Sequence, residues 1–353
     1  MKVFHCDHCD HLVFFESVQC VSCKHALAYL PDLGVTGSLD LDGETWRSPL
    51  KRAEGKRYRL CRNYSEHQVC NWAMPADQED PYCLSCRLTR VIPNLATAGA
   101  QAAWYKVETA KRRLIYSLLN LKLPIESKID EPERGLAFEF LADPADSAAP
   151  KVLTGHADGV ITLNIAEADD AEREKRKHDL HEPFRTLLGH FRHEVGHYYW
   201  DRLIRDSDRI EEFRKLFGDD REDYSASLAR HYQEGPPLDW QSQFISAYAS
   251  MHPWEDWAET WAHYLHMTDA LETATTCGLT LRPKRPGEPT LKPVPNVIAR
   301  EPTAFEAMIE SWHALTYVLN NLNRGLGLQD GYPFVLSSPV LEKLRFVHET
   351  VTA

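Results

Sequence analysis

Apolar positions along the chain change period near residue 100, and that change divides the sequence. Up to about residue 90 the apolar runs are short, as in Leu12, Val13, Phe14 and Phe15, and Gly, Asp and other turn residues break them. From Trp104 the period becomes helical. Trp104, Val107, Leu114, Ile115, Leu118 and Leu121 share one face, which predicts a long amphipathic helix over 104–121. Residues 93–99, opened by Pro93 and closed by Gly99, read as the linker. Two strand signals follow. Residues 136–141 form a short apolar run, and 159–165 alternates, with Ile161, Leu163 and Ile165 on one face and Val160, Thr162 and Asn164 on an accessible one. The charged run 167–177 reads as a solvated loop or helix start without functional weight.

Helical patterning then dominates. Residues 182–205 predict a strong helix with Pro183 in its first turn. At about 100° per residue, Phe184, Leu187, Leu188, Phe191, Val195 and Tyr198 make its apolar stripe. One or two helices are expected over 208–234, another helical segment over 242–273 with a restart at Pro253, and further helices over 303–324 and 339–351. Residues 280–302 are Pro-rich with little periodicity and read as a long loop or extended excursion. The expected architecture is α+β: a small cysteine-rich domain over 1–92, then a mostly helical domain over 100–353.

Composition narrows the function classes. A hydrophobic fraction of 43% with 26% charged residues is ordinary for a globular chain with a sizeable core. A formal charge of -12 argues against general nucleic-acid binding, which needs a surplus of cations along the phosphates. The local exception is 51–62, which holds six Lys or Arg residues. No run approaches the roughly 18 to 20 apolar residues of a membrane span, and the first residues lack the apolar core of a signal peptide. The expectation is a cytoplasmic protein with neither membrane nor nucleic acid as partner.

The sharpest chemical signal is His193-Glu194-Val195-Gly196-His197. Residues four apart on a helix lie one above the other, so His193 and His197 can share one metal ion. Glu194 beside them suits a general base that takes a proton from water, the arrangement of a zinc hydrolase. The two histidines project nearly opposite the apolar stripe, so one face would anchor the helix while the other presents ligands. Gly196, a poor helix former, fits a close approach by another segment or by substrate. His190, one turn earlier, is a candidate substrate contact.

A catalytic zinc needs a third protein donor and an open fourth position. The richest source is 250–266. On a helix from Pro253, Trp254, Trp257, Trp261 and Leu265 make a buried stripe, while Glu255, Glu259, Ala262 and His266 fall on a different face. We assign Glu255 as ligand and Glu259 as the carboxylate behind a ligating histidine. Ala262 would leave room for packing against the first helix.

Eight of the nine cysteines precede residue 90. Cys6 with Cys9 and Cys20 with Cys23 are two CxxC knuckles of the kind that hold tetrahedral zinc, and Cys61, Cys70, Cys83 and Cys86 make a second set of four. His5, His8, His11 and His67 are near enough in sequence to substitute. Cys277, without a partner, is expected to be a buried small hydrophobe. Such a domain suits a structural role or the docking of a protein partner.

The segments CNWAMPADQEDPYCLSCRL, LAFEFLADP, LTGHADGVITLNIAEADDAERE, FRTLLGHFRHEVGHYYWDRL and SAYASMHPWEDWAETWAHYLH, with the cysteine-rich start, resemble a bacterial family of zinc-binding metallopeptidases that carry an N-terminal zinc ribbon. The resemblance runs across nearly the whole chain. It implies a zincin-type fold similar to the gluzincins, with a glutamate as third ligand and an edge strand that binds extended substrate. That strand would be 160–165, with Val160, Thr162 and Asn164 as contacts. The distance in sequence from His197 to Glu255 exceeds that of the compact gluzincin pattern. Tyr248, Tyr224, His231 and His263 are candidates to polarise the substrate carbonyl, with Tyr248 also a substrate contact.

The sequence thus predicts a zinc-dependent hydrolase, a peptidase acting on a peptide or protein, with one catalytic and two structural zinc ions. The competing readings are a hydrolase of another amide bond and a zinc-stabilised interaction module. In the latter a fourth protein ligand, such as His263 or His266, would close the site.

Overall fold

The computed structural model describes residues 1–144, 151–173, 186–292 and 303–353. These pack as two compact units, Lys2–Phe191 and Arg192–Ala353 with Met1. The expectations for Pro183 and Phe184, for 174–177 of the charged run and for 293–302 of the Pro-rich segment lie outside the described residues.

The first unit opens with a two-stranded antiparallel ribbon, β1 (Phe4–His5) and β2 (Leu12–Val13). A five-stranded antiparallel meander follows: β3 (Ala26–Leu30), β4 (Val35–Asp42), β5 (Thr45–Arg47), β6 (Tyr58–Leu60) and β7 (Ala73–Pro75). Its core is small, built on Ala28, Leu30, Leu39, Ala53, Tyr58 and Ala73. Two single-turn helices, α1 (Arg62–Ser65) and α2 (Leu84–Arg87), each begin directly after a cysteine.

The unit continues into β8 (Thr89–Val91), helix α3 (Ala100–Asn120), β9 (Ala137–Leu141), β10 (Gly155–Ala157) and β11 (Val160–Asn164). β8 and β9 pair in parallel, which requires a long crossover, and α3 supplies it. The predicted apolar face of α3 is buried, and so are three charged residues of the same helix, Glu108, Lys111 and Arg112. Lys111 pairs with Glu108 at 3.0 Å, so these charges enter the interior together.

The sheet order β10-β11-β9-β8 corrects the expected edge strand. β11 is interior, with β9 parallel on one side and β10 antiparallel on the other. The cause is a turn at Asp158-Gly159, whose φ values of 48° and 79° fit the two-residue hairpin that Asp-Gly favours. Gly159 is required twice over, since a Cβ there would lie 2.2 Å from the carbonyl oxygen of Gly135. Among the described residues the outer strand on this side is β10.

The second unit is helical in its described residues. It holds α4 (Leu187–Leu203) from Arg192 onward, α5 (Ile210–Phe217), α6 (Tyr224–Glu234), α7 (Pro253–Thr276), α8 (Ala304–Gly325) and α9 (Ser338–Thr352). Its core is aromatic: Tyr199 stacks on Trp261 at 4.9 Å, and Phe213, Phe217 and Phe346 surround Trp257. A buried ion pair of 2.6 Å between Asp256 and Lys343 ties α9 to α7. Residues 280–292 contain neither helix nor strand, as the Pro-rich composition predicts, apart from a bridge between Leu281 and Leu291.

Candidate metal centres

Helix α4 does not divide into a core face and an open face. Phe191, Val195 and Tyr199 are fully buried, and Glu194 and His197 on the other faces are only 5% and 3% exposed. Helix α7 covers the His197 side, with Trp254 and Glu255 against that ring. The two helices approach most closely at Gly196, where a Cβ would stand 3.0 Å from the Cα of Ala258. Trp257 Nε1 donates to the Gly196 carbonyl at 2.8 Å. The close approach expected of Gly196 is therefore made by α7, at Ala258 rather than at Ala262.

This crossing brings His193, His197 and Glu255 together, one ligand atom from each lying within 4.8 Å of the others. Glu255 Oε2 is 2.9 Å from His193 Nε2 and 3.5 Å from His197 Nε2. The same oxygen is buried and makes no hydrogen bond of acceptable geometry. Three donors gathered this closely can hold a cation between them, and two imidazoles with a carboxylate suit zinc.

Neighbouring groups hold each donor. Tyr224 donates its hydroxyl to Glu255 Oε1 at 2.8 Å, leaving Oε2 free to face the histidines. Glu259 Oε1 lies 2.7 Å from His193 Nδ1, and Ser246 donates to Glu259 Oε2 at 2.6 Å. This carboxylate fixes the ring with Nε2 forward. Trp254 lies over His197, ring centres 3.8 Å apart. Tyr248 sits 6.0 Å from the His193 ring, with His231 5.9 Å beyond it. Burial lowers the pKa of His231 and favours its neutral form. His263 lies apart from this group, its Nδ1 2.8 Å from the Tyr332 hydroxyl, and His266 Nδ1 faces Arg192 at 3.2 Å. Among the described residues no fourth His, Cys, Asp or Glu joins the three donors.

In the first unit the eight early cysteines gather into two sets, Cys6, Cys9, Cys20, Cys23 and Cys61, Cys70, Cys83, Cys86. Sulfur separations are 3.5 Å for Cys6 and Cys23, 3.6 Å for Cys9 and Cys20 and 3.8 Å for Cys70 and Cys83. These are far too long for a disulfide at about 2.05 Å. They match the edge of a zinc–thiolate tetrahedron, about 3.8 Å for bonds of about 2.3 Å. Burial pushes the Cys6 thiol up to about 12 and Cys83 well above its ordinary value, while backbone N–H groups at its own knuckle bring Cys20 down to about 6.

Backbone amides support the second set, Trp72 N–H reaching Cys70 Sγ and Cys83 N–H reaching Cys61 Sγ, both at 3.4 Å. Arg112, buried on α3 and bonded to the Val69 carbonyl, completes it. Burial opposes its charge, but Cys70, Glu108, Cys86 and Cys83 outweigh that and hold its pKa raised.

The remaining predicted residues are placed as follows. Val160 and Thr162 are half-buried in the interior strand β11. Asn164 is fully buried; its amide donates to Asp143 and to the Val152 carbonyl, and its oxygen accepts from Ala166 N–H, so its side chain closes a turn. His190 Nδ1 pairs at 2.8 Å with Glu167, which also accepts from Thr154 at 2.7 Å. Glu167 is thus buried and engaged, where the charged run suggested a solvated residue. Cys277 is exposed just beyond the end of α7, not buried as expected. Sequence reasoning missed Ser246 and Arg112. Nothing in a local pattern marks the serine, and the sequence offers no signal that the arginine lies beside a cysteine set.

The profile of a family described as "Putative zinc-binding metallo-peptidase" matches residues 100–350, and that of a zinc-ribbon domain matches residues 3–97. Uncharacterized proteins of Mycobacterium bovis and of two strains of Mycobacterium tuberculosis are each 45% identical over 352 residues, covering 99% of this chain and 95% of theirs. No solved structure matches the chain.

Proposed function

We propose that this chain, which belongs to the putative zinc-binding metallo-peptidase family, hydrolyses peptide bonds at the site formed by His193, His197 and Glu255. The observation that carries this reading is the convergence of one buried Glu255 oxygen on two imidazole nitrogens, at 2.9 and 3.5 Å, with one donor atom from each residue within 4.8 Å of the others. Three protein donors leave a position open, which favours catalysis over a closed structural site. His263 and His266, the residues that could have closed it, face Tyr332 and Arg192 instead.

Zinc, when bound, supplies Lewis-acid polarisation of the scissile carbonyl and brings the acidity of water toward neutrality. Glu194 takes the proton from the attacking water and returns it to the amine nitrogen as the carbon–nitrogen bond breaks. The products are one carboxylic acid and one amine. Tyr248, whose ring lies 6.0 Å from that of His193, is our candidate to donate to the developing oxyanion. His190 stands one turn before His193 on α4, held by Glu167. The two four-cysteine sets hold structural zinc, and the ribbon they build is free to dock a protein partner.

Zinc analysis of the wild type beside His193→Ala and Glu255→Ala tests the site: each variant should lose about one zinc per chain and keep the rest. Glu194→Gln should keep every zinc and lose cleavage of a quenched-fluorescence peptide library. Unchanged zinc in both ligand variants, or retained cleavage in Glu194→Gln, would sink the reading.

A further inference from the structure

A further, exposed set of metal donors lies on the cysteine-rich region, apart from the twelve residues assigned above to metal or base chemistry. His8 sits inside the first knuckle between Cys6 and Cys9, His25 follows the second knuckle, and Asp40 is near the end of β4. Their donor atoms all lie within 4.8 Å of one another. The two imidazoles are stacked face to face, centres 3.6 Å apart and planes 16° from parallel. Both present Nε2 to one oxygen: Asp40 Oδ1 is 3.1 Å from His8 and 3.7 Å from His25.

The arrangement is braced from behind. Cys23 Sγ lies 3.2 Å from His25 Nδ1, so a proton on Nδ1 donates to the sulfur and leaves the Nε2 lone pair facing outward. Asp7, next to His8, accepts from the backbone and hydroxyl of Ser38, two residues from Asp40, at 2.7 and 3.2 Å. The knuckle that carries His8 is thereby fastened to the strand that carries Asp40. The side chains are 28%, 36% and 47% exposed, so a hydrated ion can reach them and keep water in its remaining positions.

We propose that His8, His25 and Asp40 form an accessory site for a borderline divalent cation of the zinc, cobalt or nickel class, exchangeable with solvent. Two imidazoles and one carboxylate suit such ions better than magnesium or calcium, which prefer oxygen alone. Because His25 touches Cys23, occupancy of the outer site would be felt at the cysteine cluster.

The test is equilibrium dialysis of the zinc-loaded full chain against Ni2+. The wild type should take up one equivalent beyond its retained zinc, His8→Ala should lose it, and Asp40→Asn should bind it at least tenfold more weakly. Zinc content of both variants checks that the cysteine sets survive. If His8→Ala disturbs its own knuckle, Asp40→Asn alone decides. No additional equivalent in the wild type overturns the proposal. So does an equivalent that persists at unchanged affinity in Asp40→Asn, which would mark nickel exchanging into another site.

Discussion

Around Cys61, Cys70, Cys83 and Cys86 every donor is a buried thiol, backbone N–H groups reach the sulfurs, and a buried arginine stands by. Around His193, His197 and Glu255 there are three donors, and their neighbours are a phenol, a second carboxylate and a serine that fix orientation. The first surrounding neutralises a closed tetrathiolate and holds the chain together. The second aims donors at a point and leaves one side uncommitted. On the proposed reading, metal in the first place would serve folding and in the second would serve chemistry.

The largest effect should follow from attacking the closed set. Cys83→Ser removes a buried donor from a site whose metal affinity is worth about 10 kcal/mol or more of folding free energy. The variant should lose one tightly held zinc and the ordered near-ultraviolet dichroism of its tyrosine- and tryptophan-rich first unit. A natively folded Cys83→Ser protein would erase the contrast. Glu259→Gln should be far milder, leaving the fold intact and weakening zinc at the histidine site by about 10- to 100-fold, measured by chelator competition. A loss of stability instead of affinity would make Glu259 a packing residue.

Acidity offers the smallest and most graded probe. In the metal-free site desolvation works against a charge on His193, yet Glu255 and Glu259 outweigh it and hold its pKa well above the ordinary value. Glu255 is desolvated too, but the histidines hold it well below its own, so it stays ionised. A proton therefore sits on His193 at neutral pH and must leave when metal enters. Zinc affinity at this site should fall about tenfold per unit as pH drops through neutrality, the signature of one displaced proton. Affinities equal at pH 6 and pH 8 would contradict the protonated histidine.

Much of this was legible in residue spacing. Period alone located α3, α7, α8 and α9 to within a few residues, and it put His193, His197 and Glu255 on the two helices that the fold brings together. What spacing could not give was the partner of each surface. Glu108, Lys111 and Arg112 are charged yet buried on α3, and spacing did not announce it, because neither the cysteine set nor the crossover sheet beside the helix exists in an eighteen-residue window. The position of β11 failed for a simpler reason. Asp158-Gly159 is a hairpin signal in plain view, but 155–157 is too short and too polar to announce itself as a strand. The helix crossing was misplaced by one turn, since Ala258 and Ala262 are equally small and only packing chooses between them.

Arg112 carries one more consequence, for the life of the chain before it is finished. A polypeptide emerging from the ribosome without zinc would bury that guanidinium against the Val69 carbonyl, Thr109, the cysteine set without its metal and a Glu108 already shared with Lys111. Helix α3 could then not settle until the metal arrived, whatever the merits of its apolar face. Scarcity of zinc during synthesis would thus be read out as lost protein, not as intact protein lacking activity, and metal supply would set how much of this chain a cell can keep.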